Sequence, residues 1–165
     1  KKENKAMKSN EYPTPAAGWD VAALTALFAS DPERLGDVDV EVEGDVLFIT
    51  IKERGDLVVS MIPSGDQVLA SVLLVEESEV PHADKFNKAA LELHKAIPLS
   101  TFGLTNVNGQ TWYELFGSLS TSCSADDLVE EVDVLAINAG ESAKWIQEWK
   151  NTYDAIPADK EGEVA

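Results

Sequence analysis

Residues 38–75 constrain the fold most, because four short apolar segments are packed there between turns rich in glycine and aspartate. In the first, Val38, Val40 and Val42 alternate with Asp37, Asp39, Glu41 and Glu43, which gives a strand one apolar face and one carboxylate face. Glu43-Gly44-Asp45 turns it into a second segment, 46–51, apolar at nearly every position, as expected of a strand covered on both faces. Gly55-Asp56 leads to a third over 57–62, and Ser64-Gly65-Asp66 to a fourth over 67–75. Segments this short, each joined by a Gly-containing turn, predict an antiparallel meander.

Helical periodicity flanks the meander. Trp19, Ala23, Leu24, Leu27 and Phe28 predict an amphipathic helix to about Ser30, ended by Asp31-Pro32. Pro81 suits the start of a second helix, about 83–95, with Phe86, Ala90, Leu93 and Ile97 inward and His94 and Lys95 in its last turn. Pro98 stops it, and two strands over 101–107 and 110–119 meet at Asn108-Gly109, whose residues supply the positive φ of a two-residue hairpin turn. Ser124 and Asp127 resemble a capping box. Beyond it Leu128, Val132, Leu135, Ala139, Ser142, Ile146, Trp149 and Tyr153 form a two-in-seven stripe. Unbroken, that helix would run roughly 42 Å at 1.5 Å per residue; Gly140, at a cost of about 1 kcal/mol relative to Ala, is where it would divide. The expectation is an α+β fold in the order α-ββββ-α-ββ-α. Residues 1–17 read as a flexible basic arm, 18–153 as one domain, and 154–165 as a disordered acidic tail.

Charge narrows the partners. Thirteen Lys and Arg stand against 30 Asp and Glu, a net charge of -17. Such a surface repels phosphate backbones and anionic lipid heads, which excludes non-specific nucleic-acid binding and polybasic membrane docking and favours basic partners or plain solubility. Four Lys against two Glu in residues 1–11 leave the remainder more acidic still. The single Cys makes no intramolecular disulfide, so a cytoplasmic setting is expected. Apolar runs fall far short of the roughly 20 residues that span a bilayer, so no membrane insertion is expected.

Side-chain chemistry is sparse. Cys123 and His94 both border the hairpin and are the one pair that suggests a thiol nucleophile with its base, or a redox sensor; a helix N-terminus near Cys123 would lower its pKa. No nucleophile signature surrounds Cys123, and structural roles suit both residues. His82 and His94 are too far apart in sequence for a zinc pair, the acids of 37–45 read as a solvated strand face, and no glycine-rich phosphate loop is present. The hydroxyls Ser118, Ser120, Thr121, Ser122 and Ser124 suit strand ends and a helix cap. No catalytic residue, metal or cofactor is expected. The tryptophans weigh the other way, since aromatic side chains are over-represented in interfaces. Trp112 and Phe116 on the hairpin with Ile146, Trp149 and Tyr153 on the last helix form the expected partner-binding surface. Trp145 lies off the stripe, so packing explains one helix tryptophan and an interface would explain both.

With these segments placed, the chain resembles the YjfI-like family of bacterial proteins, a domain of unknown function. Phe86-Asn87, Leu91, His94-Lys95, Pro98-Leu99-Ser100, Phe102-Gly103, Tyr113, Phe116-Gly117, Leu119-Ser120 and Ser122 carry the resemblance. It covers about residues 19–138, so the basic arm and the stretch beyond Gly140 look like additions. The resemblance implies a cytoplasmic protein encoded near a phage-shock-protein-A-like membrane-remodelling protein and a part in envelope stress. The element order is also similar to the type III secretion chaperone-like fold, in which small acidic proteins, commonly dimers, hold partner segments. The resulting expectation is a non-enzymatic acidic chaperone-like adaptor that forms a homodimer and binds a protein partner.

Overall fold

The computed structural model describes residue 8 and residues 12–30 and 32–154. Most of the expected arm, Asp31 and the tail from 155 lie outside the described residues. In chain order the elements are α1 (Val21–Phe28), β1 (Val38–Glu43), β2 (Val46–Ile51), β3 (Leu57–Ser64), β4 (Gln67–Glu76), α2 (Ala83–Leu93), β5 (Thr101–Val107), β6 (Gln110–Ser120) and α3 (Ala125–Asp154), with single 3-10 turns at 52–54, 77–79 and 94–96. The six strands form one sheet in the order β1-β2-β3-β4-β6-β5, every neighbouring pair antiparallel. The fold is the α+β arrangement expected, with the meander and hairpin joined into a single sheet. The hairpin turns at Asn108 (φ 53°) and Gly109 (φ 88°), both in the left-handed region that a two-residue turn requires. Its second strand, β6, lies against β4. That leaves β5 as an outer edge.

One face of the sheet builds the core. Leu47, Ile49 and Ile51 of β2, Val59 and Met61 of β3, Val68, Ala70 and Val72 of β4, Tyr113 and Leu115 of β6 and Phe102 of β5 are all buried. They form one cluster with Leu24, Leu27 and Phe28 of α1, Phe86 and Ala90 of α2, and Leu128, Val132, Leu135, Ala139 and Ile146 of α3. All three helices therefore cover the same face, and among the described residues no helix covers the other. This corrects the expectation for β2. Leu47, Ile49 and Ile51 are buried, whereas Val46, Phe48 and Thr50 alternate with them half-buried, because no layer lies above them. At the far end of β1, Val42 lies on the helix side opposite Leu47 and yet is exposed.

The last helix is continuous through Gly140. Its start is fixed by a reciprocal cap: the Asp127 N–H donates to Ser124 Oγ (3.1 Å), and the Ser124 N–H donates to Asp127 Oδ2 (2.9 Å). Burial of Ala139, Ser142 and Ile146 on either side of the glycine supplies the packing that outweighs its cost of about 1 kcal/mol. Polar ties then anchor the helix. The chain's two arginines converge on one carboxylate, Arg34 Nε at 3.0 Å and Arg54 Nη2 at 2.6 Å from Asp133. Asn138 Nδ2 donates to the Pro98 carbonyl (2.8 Å) and to Ser100 Oγ (2.9 Å), clamping the proline joint between α2 and β5. Beneath the joint, Glu131 is pressed against Gly117, where any Cβ would overlap its carboxylate.

The described part of the expected arm has contacts of its own. The Tyr12 ring lies 6.2 Å from that of Trp19, and both Thr14 Oγ1 and Trp19 Nε1 donate to the Cys123 carbonyl, at 3.2 and 2.8 Å.

Candidate functional site

The uncovered face of the sheet is built by strand alternation: each residue between two core positions points outward. The register sets these residues in rows across the strands. One row runs Glu41, Phe48, Ser60, Ser71, Phe116, Thr101, from β1 through β2, β3, β4 and β6 to β5. Its centre is small and its flanks are aromatic. Ser60 Oγ and Ser71 Oγ lie 2.9 Å apart, and Ser60 Oγ also donates to the Ser71 carbonyl at 3.3 Å, so these hydroxyls are satisfied within the sheet. The two serines floor a trough along β3 and β4 whose walls are Phe48 and Phe116. Three strand spacings separate those walls, or about 14 Å between their backbones. Val58, Ile62, Leu69 and Leu73 line the trough towards its two ends, and Val58, Leu69 and Leu73 are exposed there.

Its electrostatics are one-sided. Asp39, Glu41 and Glu43 project along the β1 margin, all exposed, with Asp39 paired to Lys52 Nζ at 2.9 Å. Glu114 lies on the β6 side opposite Gly103, its carboxyl held above the ordinary carboxylate range by burial. No ion pair neutralises Glu114 among the described residues. The face thus combines an apolar trough with acidic margins, a chemistry matched by an amphipathic segment carrying Lys or Arg beside its apolar side chains.

The five residues expected to bind a partner fall into two groups. Trp112 and Phe116, four residues apart on β6, are on the uncovered face. Trp112 is half-buried, and its indole N–H is buried without an acceptor. Ile146, Trp149 and Tyr153 pack from α3 toward α2, Ile146 buried and Trp149 and Tyr153 half-buried. Ile146 is 5% exposed, and Trp149 Nε1 donates to the Pro81 carbonyl at 2.8 Å. The Trp149 ring is 5.3 Å from Phe86 and 5.0 Å from Tyr153, and the Tyr153 ring lies tilted 4.4 Å from His82. Trp145 joins the same cluster, 4.5 Å from Phe86. Packing of α3 on α2 explains both helix tryptophans. The sequence spacing put Trp149 on the stripe, but the lateral position of α2, which receives Trp145, depends on the tertiary arrangement.

Cys123 and His94 do not form a catalytic pair. His94 Nε2 accepts the Phe102 N–H at 3.0 Å, opposite Leu115 on β6, whereas Cys123 follows Ser120 beyond the other end of that strand. Five residues of strand, about 17 Å, lie between those two levels. Nor is the thiol activated. Burial, with Asp127 adding to it, pushes Cys123 up to about 11, and this overturns the lowering expected of a helix N-terminus. The hydroxyl run serves the backbone: Ser120 Oγ lies 2.8 Å from Ser122 Oγ and accepts the Ser122 N–H at 3.2 Å, while Ser124 caps α3. Among the described residues no cluster of His, Cys, Asp and Glu is arranged to hold a metal ion, and no helix is long and apolar enough to cross a membrane.

Comparison with known proteins gives a family match over residues 18–150, described as "Uncharacterized protein conserved in bacteria (DUF2170)". The uncharacterized protein YjfI of Escherichia coli strain K12 is 28% identical over 133 residues, spanning 81% of this chain and 98% of that protein. YjfI of Escherichia coli O157:H7 matches to the same extent. An uncharacterized protein from Methanothermobacter thermautotrophicus, solved as a crystal structure, shares the fold with a TM-score of 0.53 at 16% identity, covering 75% of this chain and 96% of that one. The family match extends past Gly140 and includes Trp145 and Trp149. The stretch beyond Gly140 is therefore family sequence as far as residue 150, and its expected status as an addition is corrected.

Proposed function

The chain belongs to this family of uncharacterized proteins conserved in bacteria, and from that premise we propose that it is a non-enzymatic, acidic, chaperone-like adaptor whose uncovered sheet face holds a segment of a protein partner. The observation that carries the reading is the trough itself: a serine floor between Phe48 and Phe116, apolar at both ends and bordered by Glu114 and the β1 carboxylates. Walls whose backbones stand about 14 Å apart suit a single helix lying along β3 and β4 as a third layer, its side chains interleaved with Phe48 and Phe116. Basic side chains on that helix would meet the acidic margins. A membrane-remodelling protein of the phage-shock-protein-A-like class, which the YjfI-like resemblance implies as a gene neighbour, is the first partner to test. The thiol-enzyme reading lacks support, because the half-buried Cys123 thiol is pushed up to about 11 and His94 is occupied at another level of the sheet.

The test is capture from cells by the tagged chain beside a Leu69→Glu, Leu73→Glu double variant. Both leucines are exposed, so the variant should melt within a few degrees of the parent. A specific partner should be recovered by the parent and bound at least about tenfold more weakly by the variant, equivalent to about 1.4 kcal/mol. Undiminished capture by the variant, or no specific protein over repeated trials, would defeat the proposal.

A further inference from the structure

Glu114 is a charge that the sheet itself does not explain. Strands β3 to β6 contain no Lys, Arg or His, and their acids are Glu76 at the end of β4 and Glu114 in the middle of β6. Because β6 is an interior strand between β4 and β5, this carboxylate guards no edge. It gains no cation from the fold either, since none of the ion pairs among the described residues involves it. A half-buried carboxylate on an apolar wall costs stability unless an opposite charge reaches it.

Four uncharged neighbours frame it. Alternation sets Trp112 and Phe116 two residues to either side on the same outward face, each about 7 Å away at Cα. Across the strands its partners are Leu73 on β4 and Gly103 on β5. A Cβ at Gly103 would come 2.9 Å from Phe116 Cε1 and 3.3 Å from Glu114 Cγ. The Phe116 ring and the Glu114 stem therefore share the space over Gly103, which only a glycine leaves open. Trp112 does not serve the carboxylate, because its indole N–H is buried without an acceptor. With backbone beneath it and a neighbour on each of four sides, the carboxylate opens away from the sheet, beside the trough.

From these observations we infer that Glu114, with Trp112 and Phe116 on either side of it, seats one arginine side chain of the segment held in the trough. The inference deepens the adaptor reading and rests on it for the source of that arginine. Complementary charge selects a cation, and the frame selects guanidinium over ammonium. A guanidinium is planar, offers paired N–H donors to a carboxylate and lies on aromatic faces. It is also more weakly hydrated than an ammonium, so it loses less on entering a half-buried apolar frame. Reach agrees with this. Strand β6 is one spacing, about 4.8 Å, from β4, so an arginine on the flank of a helix over β3 and β4 extends to it. Glu76, opposite Trp112 and accepting from Ser78 Oγ at 3.1 Å, adds a second acid on the same side of the sheet.

The experiment titrates the full isotope-labelled chain with N-acetylarginine amide, with N-acetyllysine amide, and with N-acetylcitrulline amide as the neutral counterpart of the same shape. The Trp112 indole resonance, assigned with Trp112→Phe, is the reporter, since Trp19, Trp145 and Trp149 pack with the core on the helix side. The arginine amide should shift it saturably at millimolar concentration, and the other two should bind at least about fivefold more weakly. Glu114→Gln keeps the shape of the side chain and should weaken arginine-amide binding at least about fivefold. Glu92→Gln, at an exposed acid on α2, should leave it within about twofold. Melting curves verify that both variants fold. Equal binding of the citrulline or lysine amide, or undiminished binding by Glu114→Gln, overturns the inference. Partner capture that persists in Glu114→Gln, with no arginine-amide shift in the parent, would defeat this seat and leave the adaptor reading standing. Arginine amide bound through Glu114, with no partner captured in repeated trials, would uphold the seat and defeat the adaptor.

Discussion

Glu131 is the residue at which local rules and tertiary packing conflict most openly. It sits in the first turns of α3, where an acid suits the helix dipole, yet it is 5% exposed and its Oε1 has no hydrogen-bond partner. Burial first, and Glu130 second, hold its carboxyl above the ordinary value of 4.5. The folded chain thus retains a proton that the unfolded chain releases. The stability linked to Glu131 is complete below 4.5 and is lost as pH rises through the raised folded-state value. Glu114, raised by burial, acts in the same direction. Glu131→Gln should therefore flatten the loss of stability between mildly acidic and neutral pH and raise stability at pH 8 by about 1–2 kcal/mol, read from urea melts across pH. A variant that loses stability with pH as steeply as the parent would rule this account out. The amide keeps the shape that Gly117 accommodates and removes the buried charge.

At the scale of elements, α3 carries a correctable cost. A Cβ at Gly140 meets nothing within 4 Å, and the helix is continuous there, so Gly140→Ala should stabilise by about 1 kcal/mol and raise the melting temperature. An unchanged or lower midpoint would mean that the glycine has a packing task. The elements themselves were legible in the sequence because each carries its own boundary chemistry. Glycine turns separate β1 to β4, Asn108-Gly109 closes the hairpin, and Ser124 with Asp127 starts α3. What lies over each element was not legible. Apolar residues at nearly every position of β2 fit a strand with two covered faces equally well, and only the placement of all three helices on one side decides between them. The candidate site was legible in part for the same reason. Trp112 and Phe116 were identifiable from type and position on a hairpin. Phe48, Ser60 and Ser71 were missed, because they become a trough only when β2, β3, β4 and β6 align in register, and serine in a strand gives no signal of the wall beside it. For Trp149 the spacing gave the stripe, whereas its packing beside Phe86 depends on where α2 lies in the tertiary arrangement.

For the whole molecule, the governing quantity is the net charge of -17 against a surface that is unevenly apolar. If two copies of so acidic a chain associate, their surfaces repel, so added salt should tighten the dimer by screening. Sedimentation at about 20 and 200 mM NaCl measures this, with screening lengths of roughly 20 and 7 Å. A dimer that dissociates on adding salt would instead be held by ion pairs. The strand order has a further consequence, during synthesis. β4 emerges from the ribosome well before β6, its neighbour in the finished sheet, so its long apolar edge has no strand to pair with on that side until the hairpin follows. From Glu76 to Ser120, at roughly 5–20 residues per second, that interval is about 2 to 9 s. Throughout it the nascent chain presents an open strand to whatever else is being translated nearby, and slowing the ribosome within α2 should raise misassembly more than the same pause placed after Ser120.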